Sequence, residues 1–247
     1  MEVLRVADSW WARDFACEPN ELRPLVAHVQ EHKGELIGNE GIWILVVGPF
    51  PIVSMPSRIF TQFHKRAELW TRSTVENPVL LAEELAPTMI DKIVGPAYIG
   101  YATRDCLKAG PAKSARSLGE QDTEAVATLR SKCGPEEWQH GGSEFSKVPT
   151  FGSFDASGEL VAIAGYKEWR GGEGAIAHIA IVTAGDCRHR GHGTAAVALA
   201  AEHALNQGLL PQYRTLKSNA PSMHLAENLG FEEYGFSVYV RLGAQRG

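Results

Sequence analysis

The chain has 247 residues and a formal net charge of −5 at pH 7, with 44% apolar and 21% charged side chains. These are the proportions of an ordinary soluble globular protein, long enough for one large domain or two modest ones. No apolar run approaches the roughly 20 residues that span a bilayer, and Ile42 to Val47 is strand-sized. The opening MEVLRVADSWWARDF lacks the basic start and apolar core of a secretory signal. Cys17, Cys106, Cys133 and Cys187 form no CxxC pair. That speaks against a disulfide scaffold or zinc finger and fits the reducing cytoplasm. Acid slightly exceeds base in both parts of the chain, so neither part is a basic nucleic-acid footprint.

The segment Lys108 to Ser114, KAGPAKS, is the natural boundary, which makes residues 1–110 one region and 111–247 another. In the first region, Asp8 to Phe15 and Glu21 to His32 read as helices, with Pro24 early in the second. Gly41 to Val47 reads as a buried strand. Pro49, Pro51 and Pro56 then enforce an extended path. Ser57 is the expected N-cap of a helix through Leu69. Pro78 to Leu85 suggests a short helix, and Ile93 to Tyr101 a strand interrupted by Gly-Pro. This is a small α/β unit whose pattern names no chemistry.

The second region is clearer. Asp122 caps a helix with Val126, Leu129 and Cys133 at helical spacing. Pro135 opens a short helix that stops at Gly141-Gly142. Three strands follow: Thr150 to Phe154, Leu160 to Trp169, and Ala175 to Thr183. The last is nearly all apolar and therefore central. Val197, Ala201 and Leu205 then mark a helix from about Thr194 to Gln207, with Gly208 as its stop. Tyr213 to Lys217 is a strand. Ser218 or Asn219 caps a helix with Leu225 and Leu229 inside, and Phe231 to Leu242 supplies one or two closing strands.

The stretch that carries chemistry is Arg188-His189-Arg190-Gly191-His192-Gly193, between a buried strand and a helix. Its glycines let the backbone turn tightly and bring successive N–H groups toward one point. The helix start adds donors and the positive dipole end. Together they suit a pyrophosphate, and Arg188 and Arg190 add charge. A basic turn without function is the plain alternative. No Gly-Lys-Ser/Thr follows, which excludes a P-loop, and the GxGxxG order of a dinucleotide fold is absent.

RxxGxG after a strand, followed by an amphipathic helix, resembles the acyl-CoA signature of the GNAT N-acetyltransferase superfamily. Ser218-Asn219-Ala220-Pro221-Ser222 and Asn228-Leu229-Gly230-Phe231 match its closing segment. The resemblance covers roughly Ala115 to Leu242 and extends to element order. It implies a mixed, mainly antiparallel central sheet flanked by helices, with residues 1–110 as an additional α/β region of unknown role. It also implies that acetyl-CoA is the co-substrate, that no metal is needed, and that an amine attacks the thioester directly in a ternary complex.

By the same resemblance, two central strands splay and the pantetheine arm lies between them. Val182, Thr183, Arg188, His189, Arg190, Gly191, His192, Gly193, Thr194, Asn219 and Ser222 are then the expected acyl-CoA contacts. Many relatives carry a Tyr, the acid for the leaving thiolate, where this chain has Ala226. Tyr213, Tyr234 and Ser222 are candidate replacements by nearness in sequence alone. His178 is the one ionisable residue in AIAHIAIVT and the first candidate base, with a near-neutral pKa expected. A buried His bonded to backbone is the competing reading. Glu137 and His140 on the short helix that borders the family's acceptor pocket are a second set. Cys187 in the turn is a candidate low-pKa thiol, and simple placement without function is the favoured reading.

The leading expectation is a cytoplasmic acyltransferase acting on a small-molecule or peptide amine, with no nucleic-acid or membrane partner and a homodimer left open. The rival is an acyl-CoA-binding sensor or scaffold without turnover, supported by Ala226. A nucleic-acid module using Arg188, Arg190 and Arg214 is the third reading, and the net charge of −5 opposes it.

Overall fold

The structure is a computed structural model, and it describes residues 2–85, 89–111, 114–142, 144–171 and 173–243. In chain order the elements are α1 (Glu2–Asp14), β1 (His28–Glu31), β2 (Ile42–Val46), β3 (Ile52–Met55), α2 (Ser57–Ala67), α3 (Arg72–Glu76), α4 (Pro78–Glu84) and β4 (Ile90–Tyr101). Then follow β5 (Ser114–Ser117), α5 (Thr123–Lys132), α6 (Pro135–Gly141), β6 (Thr150–Phe154), β7 (Leu160–Gly171), β8 (Gly174–Thr183), α7 (His192–Asn206), β9 (Leu210–Leu216), α8 (Ala220–Leu229) and β10 (Glu232–Leu242). The architecture is mixed α/β, with a mainly antiparallel sheet flanked by helices. No described helix is long and apolar enough to cross a membrane.

The chain divides into two compact units that interleave in sequence. One holds Met1–Ile99, Thr215–Asn219 and Glu233–Gly247, and the other Gly100–Arg214 and Ala220–Glu232. Residues 112 and 113, within the segment read as a boundary, lie outside the described residues.

In the first unit β1 runs parallel to β3, β3 antiparallel to β2, and β2 antiparallel to β10. Its core gathers Ile42, Ile44 and Val46 from β2, Phe236, Val238 and Val240 from β10, and Ile59 and Phe63 from α2. The two strands present alternate residues to that core, as the period-2 pleat requires. Each fully buried aliphatic side chain stabilises by about 1.5–3 kcal/mol.

Two expectations for this unit are corrected. Glu21 to His32 is not a helix: a 3₁₀ turn covers Pro19–Leu22, and His28–Glu31 is a strand. Parallel pairing with β3 and the burial of Gln30 on Phe15 outweigh local helical preference. Ser57 is not the cap of α2, because Pro56 holds that position and the Ser57 hydroxyl donates to Glu31 Oε2 at 2.6 Å.

In the second unit β5, β6, β7 and β8 form an antiparallel series, and β9 adds in parallel to β8. Val126 and Leu129 of α5 pack with Leu160, Ile163 and Val182 of the sheet. Asp122 precedes α5, but its carboxylate makes no helix cap. It accepts from Gly119 N at 2.9 Å and from both Arg116 terminal nitrogens at 2.7 and 2.9 Å.

The Arg116 guanidinium, seconded by the Gly119 N–H, holds the Asp122 carboxyl below its ordinary pKa against the opposing pull of burial. A depressed folded pKa contributes stability above the unfolded value, and that stability is lost as pH falls through the folded one. Asp122→Asn therefore lowers the melting temperature at about pH 7, and the gap to the parent shrinks toward about pH 3. Thermal melts at the two pH values check this, and a gap that persists in acid contradicts it.

Candidate active site

The site begins where two strands separate. The parallel register between β8 and β9 runs from Ile176 with Leu210 to Ile179 with Tyr213 and stops there. Both strands continue, β8 to Thr183 and β9 to Leu216. The other edge of β8 stays paired to β7 along its whole length, from Gly171 with Gly174 to Ala162 with Thr183. The stretch Ala180–Thr183 thus leaves one ladder while still held by the other. A strand edge released this way offers backbone donors and acceptors to an extended ligand. At Gly141, the end of α6 lies against the Ile181 carbonyl with no room for a side chain.

Beyond Thr183 the chain makes the glycine turn. A 3₁₀ turn covers Gly185–Cys187, His189 is left-handed at φ +58°, and Gly191 sits at the N-cap of α7 with φ +84° and ψ 0°. The intrahelical bond nearest the turn runs from Ala195 N to Gly191 O at 3.0 Å. The N–H groups of the first turn of α7 precede it, at the positive end of the helix. Gly193 is required by proximity: a Cβ there would lie 2.9 Å from Thr183 Oγ1. The first turn of α7 is thereby pressed onto the end of β8. This backbone has the donor set that a pyrophosphate takes.

The side chains of the turn divide. Arg188, His189 and Arg190 are exposed. Arg188 donates to Glu137 Oε1 at 2.6 Å and, through Nε, to the Thr183 carbonyl at 3.4 Å. His192 turns inward, is 6% exposed, and meets Ser153 Oγ through Nδ1 at 2.9 Å. Its offering to the turn is therefore backbone. Burial pushes the Cys187 thiol up, the opposite of what a reactive thiolate needs.

His178 lies on the part of β8 that is still paired to β9, facing Gln212 in register. Its Nδ1 is 3.0 Å from Gln212 Oε1, and Gln212 Nε2 donates to Tyr101 Oη at 2.6 Å. Trp169 stacks on the imidazole, with ring centroids 5.5 Å apart and planes 13° apart. The His178 pKa is not near neutral: burial first, then the Arg214 and Lys167 charges, bring it down to about 4 despite the Gln212 bond. His178 is therefore neutral at physiological pH.

The remaining candidates fall into place around these. Glu137 is bound by Arg188 and by Gly134 N at 3.3 Å, and the Arg188 bond keeps its carboxyl below the usual range. That carboxylate serves as an ion-pair partner. His140 is exposed in the last turn of α6. Tyr213 and Ser222 come together, hydroxyl to hydroxyl at 2.8 Å, and burial pushes the phenol up to about 12. Ala226 is fully buried. Tyr234 donates to Asp8 at 2.7 Å in the other unit. Val182 packs in the core beneath α5. Asn219 sits in the turn before α8, its N–H donating to the Leu216 carbonyl at 2.9 Å. Among the described residues no cluster of His, Cys, Asp or Glu could hold a metal ion.

The sequence does not mark Gln212 as functional, and Tyr101 reads there as a core residue near the acceptor side. The available signal was a lone amide in the otherwise apolar Leu209 to Tyr213, opposite the lone histidine of β8.

The family model of the GNAT acetyltransferases matches residues 120–231. Among solved structures, one from Novosphingobium aromaticivorans assigned to GNAT acetyltransferases shares 20% identity at a TM-score of 0.50, covering 63% of this chain and 67% of that one. A GNAT-family acetyltransferase from Colwellia psychrerythraea shares 18% at 0.49, covering 66% of this chain and 62% of that one. A GCN5-related N-acetyltransferase from Kribbella flavida shares 20% at 0.47, covering 68% and 64%. The chain spans less than two thirds of the length of the latter two. No curated protein matches it in sequence. At 20% identity the likeness to the first structure is one of fold. With its element order and its glycine turn, the segment from residue 120 to residue 231 is a domain of the GNAT acetyltransferase family.

Proposed function

We propose that this chain transfers an acetyl group from acetyl-CoA to an amine acceptor by direct attack in a ternary complex, with residues 111–247 as the catalytic region. The observation that carries the reading is the parting of β8 from β9 after Ile179 and Tyr213, directly ahead of the glycine turn at the start of α7. The opened edge at Ala180–Thr183 suits the amide-bearing pantetheine arm, and the donors at Gly191–Thr194 suit the pyrophosphate. The thioester supplies an activated acyl group. Arg188 and Arg190 add positive charge beside the turn, and four free cysteines fit a reducing cytoplasm.

Proton handling falls to the chain's own residues. The attacking nitrogen becomes more acidic once it bonds the carbonyl carbon, and a neutral base takes its proton at that stage. His178 is neutral and fills that role. The Tyr213–Ser222 hydroxyl pair stands beside α8, the helix on which relatives carry their acid, and is the proton donor for the leaving thiolate. Both hydroxyls hold their protons at neutral pH, as an acid must.

Calorimetric titration with acetyl-CoA and with CoA, alongside the thermal midpoint, tests this. Saturable binding with a raised midpoint is the expected result. No binding at millimolar ligand overturns the reading. Tight binding without transfer to any of a broad set of amines favours the sensor, whose structural support is the buried Ala226.

A further inference from the structure

Gln212 is the conspicuous residue of β9. It is 0% exposed, between the buried Pro211 and Tyr213. A buried amide left unpaired carries its full desolvation cost. Both ends of this one are paired, Oε1 with His178 Nδ1 at 3.0 Å and Nε2 with Tyr101 Oη at 2.6 Å. With Gln212 Oε1 turned to the ring it can only accept, and the matching tautomer carries its proton on Nδ1 and its lone pair on Nε2. Trp169, stacked at 13° to the imidazole, restricts rotation of the ring out of that plane.

We propose that Gln212 and Tyr101 are positioning residues: Tyr101 anchors the far end of the Gln212 amide, and Gln212, with Oε1 toward Nδ1, holds His178 as the Nδ1–H tautomer, so that Nε2 is the proton acceptor. This rests on the acyltransferase reading above. Without the clamp a neutral imidazole divides between two tautomers, and only one presents its lone pair at Nε2. The charged groups facing His178 are Lys167 on β7, its cross-strand partner, which is itself paired with Glu144, and Arg214 on β9. Neither can fix a tautomer, since both are donors only.

The test uses the full chain labelled with ¹⁵N. Long-range proton–nitrogen correlation of the His178 ring, identified by its loss in His178→Ala, reads the tautomer directly. A pyrrole-type Nδ1 and a pyridine-type Nε2 at neutral pH are expected. Gln212→Glu sets a carboxylate against Nδ1–H and raises the His178 titration by about one unit or more, moving the acid limb of any acetyl-transfer rate with it. Tyr101→Phe releases the amide, so a second tautomer appears while acetyl-CoA affinity stays as in the parent. Should Gln212→Glu fail to fold, Tyr101→Phe carries the test. A pyrrole-type Nε2 in the parent, or a single unchanged tautomer in Tyr101→Phe, overturns the proposal. Acetyl-CoA that does not bind the parent, with the Nδ1–H tautomer present, marks instead the failure of the acyltransferase reading, and the clamp then has no reaction to serve.

Discussion

His178→Ala is expected to lower kcat by about 10²- to 10⁴-fold, the usual range for a lost general base, while the dissociation constant for acetyl-CoA stays at its parent value. The split follows from placement. His178 is five residues before Thr183 on β8, about 17 Å at the strand rise, so the turn at Gly191 does not feel the change. The pH dependence has a definite sign. Burial, together with Arg214 and Lys167, puts the His178 pKa at about 4, so the ring is unprotonated through the neutral range. The parent rate therefore has its His178 limb near about pH 4, and across neutral pH it follows the deprotonation of the acceptor amine. In His178→Ala the low-pH limb disappears. A variant that keeps the parental rate makes His178 a core residue stacked on Trp169. A variant that loses acetyl-CoA binding places the ring in the ligand site rather than at the proton.

Much of this arrangement could be read from the sequence, because it depends on local chemistry. AIAHIAIVT is a central strand since nearly every residue is apolar, and β8 has neighbours on both sides. The RxxGxG turn was legible since Gly191 must be left-handed and Gly193 must lie close to Thr183. Partners chosen by tertiary contact were not legible. His192 belongs to the motif, but Ser153, 39 residues earlier in the chain, turns its ring inward. Glu137 has the residue type of a base, and Arg188, 51 positions later in the chain, pairs with its carboxylate instead. Asp122 has the right type and place for a cap, and Arg116 takes its carboxylate instead. A neutral-range pKa is the default for a histidine, and burial of His178, with the charges of Arg214 and Lys167, moves it away. Strand β1 was misread because four residues, His28–Glu31, are too few to show a period against Leu22, Leu25 and Val29 at near-helical spacing. The interleaving of the two units has no local signature at all: it follows from β10 pairing with β2.

Gly191→Val is expected to abolish acetyl-CoA binding and to cost stability as well. The position holds φ +84° and ψ 0°, where an ordinary side chain costs about 1–2 kcal/mol and a β-branched one more. For a chain of this size each kcal/mol lowers the melting temperature by about 2–4 °C, so a fall of several degrees accompanies the binding loss. The two effects have separate origins and separate controls. Strain comes from the left-handed backbone, which Asn tolerates better than Val. Blocked binding comes from side-chain atoms placed over the N–H groups of the first turn of α7. Gly191→Asn therefore keeps most of the stability and still weakens acetyl-CoA. Calorimetry on both variants, at a temperature where circular dichroism shows them folded, separates the causes. Parental affinity in folded Gly191→Val removes the turn from the ligand site and leaves the opened β8 edge without its pyrophosphate anchor. Loss of affinity in Gly191→Asn, with the melting temperature close to parental, ties the ligand to this backbone and not to the general integrity of the fold.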